Sequence, residues 1–136
     1  MKVKITVNAV KENLTSVTQF VDSLLEEADC PMKAQLQIDV AIDEIFSNVA
    51  NYAYYPGTGD VTVDVEITKD PRGVVITFCD SGIPFDPLKS EEPDISLSAE
   101  ERKIGGLGLF IVKKTMDDIS YEYKDGYNVL KITKRF

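Results

Sequence analysis

The chain has 136 residues, of which 43% are hydrophobic and 28% are charged, and its formal net charge is −8. This length predicts one domain over residues 1–136 with a core that needs neither disulfides nor metals, and the acidic charge argues against nucleic acid or an anionic membrane as a partner. The sequence contains no histidine, which excludes Ser-His-Asp and Cys-His catalysis, most zinc sites and phosphohistidine chemistry.

The pattern of apolar residues predicts five strands and three helices. The strands cover about 2–7, 61–68, 73–79, 119–124 and 128–134, and the helices cover about 10–28, 32–54 and 107–116. Residues 84–103 are polar and acidic and are predicted to form a loop. This order favours an α+β two-layer sandwich, with the helices on one face of a mixed, mostly antiparallel sheet. The first strand, at an edge, could pair across a homodimer.

No stretch of the sequence approaches the roughly 20 apolar residues of a membrane span. Residues 1–4 lack the apolar core of a signal peptide, and we therefore expect a cytoplasmic protein. Cys30 and Cys79 are isolated in the sequence and are interpreted as free thiols.

The second predicted helix carries a narrow polar strip beside its apolar face. At about 100° per residue, Glu44, Asn48 and Asn51 fall on this strip at spacing i, i+4, i+7. Such a strip is commonly a solvated flank. It can equally line a cleft, where a carboxylate serves as a general base and an amide oxygen as a Mg²⁺ ligand.

Two further segments have both a plain and a functional interpretation. DSGIPFDP (residues 80–87) follows a buried strand and is either an ordinary turn or a carboxylate placed to bind a ligand's amino group. GGLGL (residues 105–109) opens the third helix and is either a flexible joint or a source of backbone N–H groups for a phosphate. It is neither a Rossmann fingerprint nor a P-loop.

In this order and spacing, Glu44-x-x-x-Asn48, DSGIPFDP and GGLGL resemble the three nucleotide-binding boxes of the Bergerat-fold ATPases. That superfamily contains gyrase, heat-shock chaperones and sensor histidine kinases. The match is closest to the bacterial anti-sigma factor serine kinases and covers nearly the whole chain. The resemblance implies a Bergerat ATP-binding fold, ATP and Mg²⁺ as cofactors, and protein serine/threonine kinase activity.

The resemblance also implies roles for individual residues. Glu44 matches the general base that polarises the attacking hydroxyl, and Asn48 matches the Mg²⁺ ligand. Asn51 would lie beside the phosphates. Asp80 matches the carboxylate that binds the adenine amino group, and Gly82 would give the base room.

The remaining implied roles belong to the second half of the chain. Thr133 matches a hydroxyl that assists adenine binding, and the segment between residues 86 and 105 matches the ATP lid. Within it, Arg102 or Lys103 would reach the γ-phosphate, where a cation stabilises the transferred charge. The phosphate-binding turn would comprise Gly105, Gly106, Leu107 and Gly108, with backbone donors at the second and last of these.

Two functions of different classes follow from these expectations. The first is a MgATP-binding kinase that phosphorylates an anti-anti-sigma-type partner and sequesters a sigma factor. The second is a nucleotide-gated protein interaction module with little or no phosphotransfer. Glu44 favours the kinase, because a pure binding module has no need of a base at that position.

Overall fold

The computed structural model describes residues 2–86 and 106–136, with the backbone alone at residues 106 and 107. Five strands and three helices lie within these ranges, as the sequence predicts. The strands are β1 (Lys2–Asn8), β2 (Asp60–Lys69), β3 (Arg72–Asp80), β4 (Asp118–Lys124) and β5 (Tyr127–Arg135). The helices are α1 (Leu14–Glu27), α2 (Met32–Asn48) and α3 (Gly106–Thr115). A short 3₁₀ turn (Lys11–Asn13) precedes α1, so this helix begins later than predicted.

The strands form one sheet in the order β1-β2-β3-β5-β4. All four strand pairs in the described part of the chain are antiparallel. The hairpins β2–β3 and β4–β5 are those predicted from sequence. Because β5 lies between β3 and β4, Asp80 at the end of β3 pairs directly with Asn128 at the start of β5.

The helices cover one face of this sheet. Alternate residues of the central strands, such as Val63, Ile76 and Ile132, are fully buried, as expected for a sheet with one covered face. The predicted core stripe of α2 is also buried and comprises Ile38, Ile42, Ile45, Phe46 and Val49. Each such side chain contributes roughly 1.5–3 kcal/mol when buried. The predicted α+β two-layer sandwich is confirmed.

The second helix ends earlier than predicted because its hydrogen bonding changes. After Asn48, residues Val49–Ala53 form a π-helical turn. A π-turn has more residues per turn than an α-helix, and such turns occur frequently at functional sites. Its last carbonyl, of Ala53, accepts a hydrogen bond from the N–H of Ile83 at 2.9 Å. The turn therefore joins the helical layer to the segment that follows β3.

The opposite end of the helical layer is held by Arg72. Its Nη2 donates to the carbonyls of Ala28 and Asp29, both at 2.7 Å, where α1 ends. Asp29 has a left-handed backbone (φ 56°), a common way to end a helix. None of the helices in the described ranges is both long and apolar enough to cross a membrane.

Candidate functional site

A pocket opens where α2 and its π-helical turn face the ends of β3 and β5. Most of its wall is apolar and comprises Ile45, Val49, Ala53, Phe78, Ile83, Phe85, Leu109 and Leu130. The polar side chains are those of Asn48, Tyr52, Asp80, Tyr121 and Asn128. An apolar slot with a few polar groups is typical of a binding site for a small ligand, and these walls suit a flat ring.

Asp80 is the buried carboxylate of this pocket, at 5% exposure. Its Oδ1 accepts hydrogen bonds from the backbone N–H of Gly82 and from the side-chain amide of Asn128, each at 2.9 Å. Neither of these bonds uses Oδ2, which is left to accept a donor from a ligand. A single carboxylate oxygen at the base of an apolar slot suits an amino group on a ring.

Gly82 lets the backbone of the π-helical turn approach the end of β3. A Cβ at residue 82 would overlap the carbonyl group and the Cβ of Ala53. The neighbouring Ile83 donates its N–H to the same carbonyl. Gly82 therefore has a packing role that the sequence did not predict, and this packing fixes one wall of the pocket.

Asn128 is the residue that holds Asp80 from the neighbouring strand. It is 6% exposed, and its Nδ2 donates to Asp80 Oδ1 and to the carbonyl of Ile83 at 2.8 Å. Its Oδ1 accepts from the N–H of Phe85 at 3.2 Å and from the hydroxyl of Tyr121. This network joins β3, β5, β4 and the segment after β3 at the base of the pocket.

Glu44 and Asn48 lie one helical turn apart on α2. Asn48 lines the pocket. Glu44 is half-buried, and its Oε1 is buried without a hydrogen-bond partner among the described residues. Burial raises the pKa of Glu44, the charge of Asp43 raises it further, and the amide of Asn48 opposes both. A carboxylate with a raised pKa and an oxygen that lacks a fixed partner is suited to accept a proton.

Gly108 brings the start of α3 against Glu44. A Cβ at residue 108 would overlap the Glu44 carboxylate, so the observed position of this carboxylate requires glycine at residue 108. The first N–H groups of α3 have no partner within the helix and carry partial positive charge. Glu44 is thus held beside a helix end that favours anions.

Asn48 fits a Mg²⁺ ion that is shared with phosphates. Mg²⁺ keeps several waters and takes one or two protein oxygens beside substrate phosphates. No group of three or more carboxylates or thiols in residues 2–86 and 106–136 is arranged to hold a metal by itself. The amide oxygen of Asn48 is the candidate ligand, which leaves the Glu44 carboxylate to act on a proton.

Residues 7–134 match the family model of the histidine kinase-like ATPase domain. The chain belongs to this family. The membership confirms the resemblance based on the three sequence motifs, and ATP use follows from it.

Curated relatives of this ATPase domain are bacterial protein kinases. Serine/threonine-protein kinase BtrW of Bordetella bronchiseptica is 26% identical over 101 residues, which cover 74% of this chain and 70% of the relative. Serine-protein kinase RsbW of Listeria monocytogenes is 31% identical, covering 68% of this chain and 61% of the relative. RsbW of Bacillus cereus is 33% identical, covering 67% and 58%. The chain thus matches about three fifths of the length of these two RsbW proteins.

Two solved structures have the same fold as this ATPase domain. A crystal structure of RsbU and RsbW domains from Mycobacterium tuberculosis aligns with 99% of this chain and 32% of that chain, with a TM-score of 0.70 and 16% identity. The SiaB–SiaC complex from Pseudomonas aeruginosa gives a TM-score of 0.59 at 14% identity, covering 97% of this chain and 89% of that chain. At these identities the likeness concerns the fold, which it confirms.

Two residues predicted for the ATPase site lie away from the pocket. Thr133 pairs with Val75, and both lie on the face of the sheet opposite to the buried Ile132 because strand side chains alternate. The structure therefore places Thr133 away from the pocket, and Asn128 of the same strand lines the pocket instead. Asn51 is exposed on the π-helical turn and does not line the pocket, since the turn departs from the α-helical angle.

Other predicted residues of the ATPase site are only partly described. Gly106 and Leu107 are the first residues of α3. Arg102, Lys103 and Gly105 lie outside the described residues, as does the segment 87–105 predicted to form the lid. Their contacts with the phosphates stay predictions.

Proposed function

We propose that this chain is a MgATP-dependent serine/threonine protein kinase of the anti-sigma-factor type, which phosphorylates an anti-anti-sigma-type partner in the cytoplasm. The observation that carries the proposal is Glu44, a half-buried carboxylate of raised pKa whose Oε1 has no hydrogen-bond partner in residues 2–86 and 106–136. It is one turn from Asn48 in the wall of the pocket that contains Asp80. The kinase names of the BtrW and RsbW relatives support the same class.

The pocket would hold the adenine ring in its apolar slot. Asp80 Oδ2 would accept a hydrogen bond from the adenine amino group, because Oδ1 is already occupied by two donors. The phosphates would then extend toward the N-terminus of α3, whose free N–H groups and dipole favour anions. Mg²⁺, held by Asn48 and the phosphates, would neutralise phosphate charge.

Phosphotransfer requires a base close to the attacking hydroxyl. Glu44 would take the proton of a serine or threonine hydroxyl of the partner as the hydroxyl oxygen bonds to the γ-phosphorus. The bond between that phosphorus and the β–γ bridging oxygen breaks, and ADP leaves. The raised pKa of Glu44 makes it a stronger base than an exposed glutamate, and it is ionised once the pH exceeds that raised value.

The test is transfer of radiolabelled phosphate from ATP to a purified anti-anti-sigma-type protein of the same organism. Wild type is expected to label the partner, and Glu44→Gln is expected to lose about 10²–10⁴-fold of that rate while it still binds MgADP. Glu27→Gln, the same substitution at an exposed residue of α1, is the matched control and should label the partner. If wild type binds MgADP and labels nothing, or if Glu44→Gln labels at the wild-type rate, the kinase proposal fails. The nucleotide-gated interaction module then remains.

The proposal also includes the domain organisation of the chain, a second partner and an oligomeric state. We propose that the chain acts as one domain over residues 1–136 and sequesters a sigma factor as a second partner. A homodimer through β1 is compatible with the position of that strand at an edge of the described sheet. Light scattering with and without MgADP would test the dimer.

A further inference from the structure

We infer that Asn128 is a positioning residue that sets the preference of the pocket for adenine over guanine, acting through Asp80. The inference rests on the proposed nucleotide-binding function and assigns the base specificity of that site. Asn128 need not touch the base, because it controls which oxygen of Asp80 a base can reach.

The side-chain amide of Asn128 is fully used within the protein. Its two N–H donors point to Asp80 Oδ1 at 2.9 Å and to the carbonyl of Ile83 at 2.8 Å. Its oxygen accepts from the N–H of Phe85 at 3.2 Å and from the Tyr121 hydroxyl. An amide offers two donors and two acceptor sites, so none is left for a ligand. The orientation of the amide is also fixed, because two acceptors face its nitrogen and a backbone N–H faces its oxygen.

This amide leaves Asp80 with one usable oxygen. Oδ1 already accepts from Asn128 and from the N–H of Gly82, both at 2.9 Å. The side chain therefore has a fixed rotation, and Oδ2 is the oxygen available to a base. Asp80 is 5% exposed, so a mismatched group placed against it would not be compensated by solvent.

Adenine and guanine differ in what they require of a carboxylate. Adenine presents an amino N–H beside a ring nitrogen acceptor, and one carboxylate oxygen satisfies the amino group. Guanine presents two parallel donors, on N1 and on its 2-amino group, which match both oxygens of a carboxylate at once. With Oδ1 occupied this paired contact is not available. Guanine placed in the adenine pose would instead set its carbonyl oxygen against Oδ2.

The same amide also fixes the wall beside the base. Ile83 and Phe85 both line the pocket, and their backbone groups are the other two partners held by Asn128 and Tyr121. A serine at position 128 is too short to span from Asp80 to the Ile83 carbonyl. It would free Asp80 to rotate and to offer both oxygens.

The test compares the dissociation constants of MgADP and MgGDP by calorimetry for wild type, Asn128→Ser and Thr133→Val. In Asn128→Ser we expect the preference for ADP over GDP to fall by about tenfold or more, because a hydrogen bond to a charged group is lost. Thr133→Val changes a residue of the same strand that lies on the face of the sheet opposite to the buried Ile132. Its preference should stay within about threefold of wild type.

Hydrogen exchange supplies a readout that does not depend on nucleotide. The N–H of Gly82 and the N–H of Phe85 should exchange faster in Asn128→Ser than in wild type. If that variant does not fold, Asn128→Thr, a β-branched residue suited to a strand, carries the same comparison.

The outcomes separate the inference from the proposed function. Wild type that binds neither nucleotide overturns both. Wild type that prefers ADP, with the same preference in the position-128 variant, overturns the inference alone. A preference that falls equally in Thr133→Val also overturns it, because the effect would then not come from the contact between Asn128 and Asp80.

Discussion

Gly108 has no side chain, and the carboxylate of Glu44 fills the space that one would occupy. The colliding atoms are at the end of a flexible side chain. An added methyl group would therefore displace the carboxylate and leave the backbone in place. The position of the candidate base thus depends on a glycine from a different helix.

Gly108→Ala is expected to lower the rate of phosphotransfer by about 10–100-fold, because a base displaced by an ångström loses its alignment with the hydroxyl. Affinity for MgADP should fall less than the rate. The measurement is the labelling assay with the partner, together with MgADP titration. Gly57→Ala is the control, since a Cβ there would make an ordinary 3.5 Å contact with the carbonyl of Tyr54. Equal rates for wild type and Gly108→Ala would show that this packing does not position Glu44.

At the scale of elements, Tyr54 fastens the π-helical turn to the sheet. Its hydroxyl donates to the carbonyl of Asp60 at 2.5 Å and accepts from the N–H of Ser81 at 2.8 Å. One oxygen therefore joins the end of the helical layer, the start of β2 and the residue that follows β3. That residue, Ser81, also precedes Gly82, where the π-helical turn packs against the end of β3.

We expect Tyr54→Phe to reduce the free energy of unfolding by about 1 kcal/mol, because the Ser81 N–H and the Asp60 carbonyl lose their shared partner. Urea denaturation measures this loss. Tyr55→Phe is the matched control, since Tyr55 is 79% exposed and should change stability by no more than about 0.5 kcal/mol. Equal stability of the two variants would contradict this account of the turn.

The helices and strands were predictable from sequence because each buries one side. Its apolar residues therefore repeat with the period of a helix or of a strand. Ile38, Ile42 and Val49 repeat at helical spacing, and Val61, Val63 and Val65 alternate, all of them buried. The π-helical turn was not predictable from the sequence. Val49 and Ala53 are apolar and four residues apart, and this spacing is equally compatible with a continued α-helix that buries both. The α-helical spacing therefore placed Asn51 on the same strip as Glu44 and Asn48, whereas the π-helical turn leaves it exposed.

The different positions of Thr133 and Asn128 relative to the pocket have a similar cause. These two residues lie on β5 an odd number of positions apart, so only one of them can face Asp80. Which of the two residues faces Asp80 depends on which strand lies next to β3 and on the register of that pair. The periodicity of apolar residues predicts neither of these. The three motifs with Glu44, Asp80 and Gly108 required no knowledge of strand order, since each is local in sequence.

At the scale of the whole molecule, a pair of carboxyl groups between α1 and α2 links stability to pH. Asp22 Oδ1 and Asp39 Oδ1 are buried and lack a donor among the described residues. Burial raises the pKa of Asp39 to about 7, with added contributions from a hydrogen bond to Asp22 and from the charges of Asp22 and Glu26. Protonation of Asp39 supplies the donor that the pair lacks.

The sign of the effect follows from the raised pKa. Since the pKa of Asp39 is higher in the folded chain than its ordinary value of 3.8, the stabilisation is fully present below that value and is lost as pH rises through about 7. Asp39→Asn keeps an amide donor and cannot ionise. We expect it to be more stable than wild type at pH 8 by about 1 kcal/mol, because solvent screens this partly exposed pair, and to match wild type near pH 4.

Thermal unfolding of both proteins between pH 4 and pH 8 measures this difference. Asp43→Asn, also on α2 but exposed and outside the pair, should follow wild type. A stability difference between Asp39→Asn and wild type that does not change with pH would contradict the assignment.

Calorimetric titration with MgADP tests the central claim, that the pocket at Asp80 binds an adenine nucleotide. Wild type is expected to bind, and Asp80→Asn to bind at least about tenfold more weakly, because an amide N–H at the Oδ2 position would face the adenine amino group. Thr133→Val, on the opposite face of the sheet, should bind as wild type does. Absence of binding by wild type, or equal affinity in Asp80→Asn, would contradict the account.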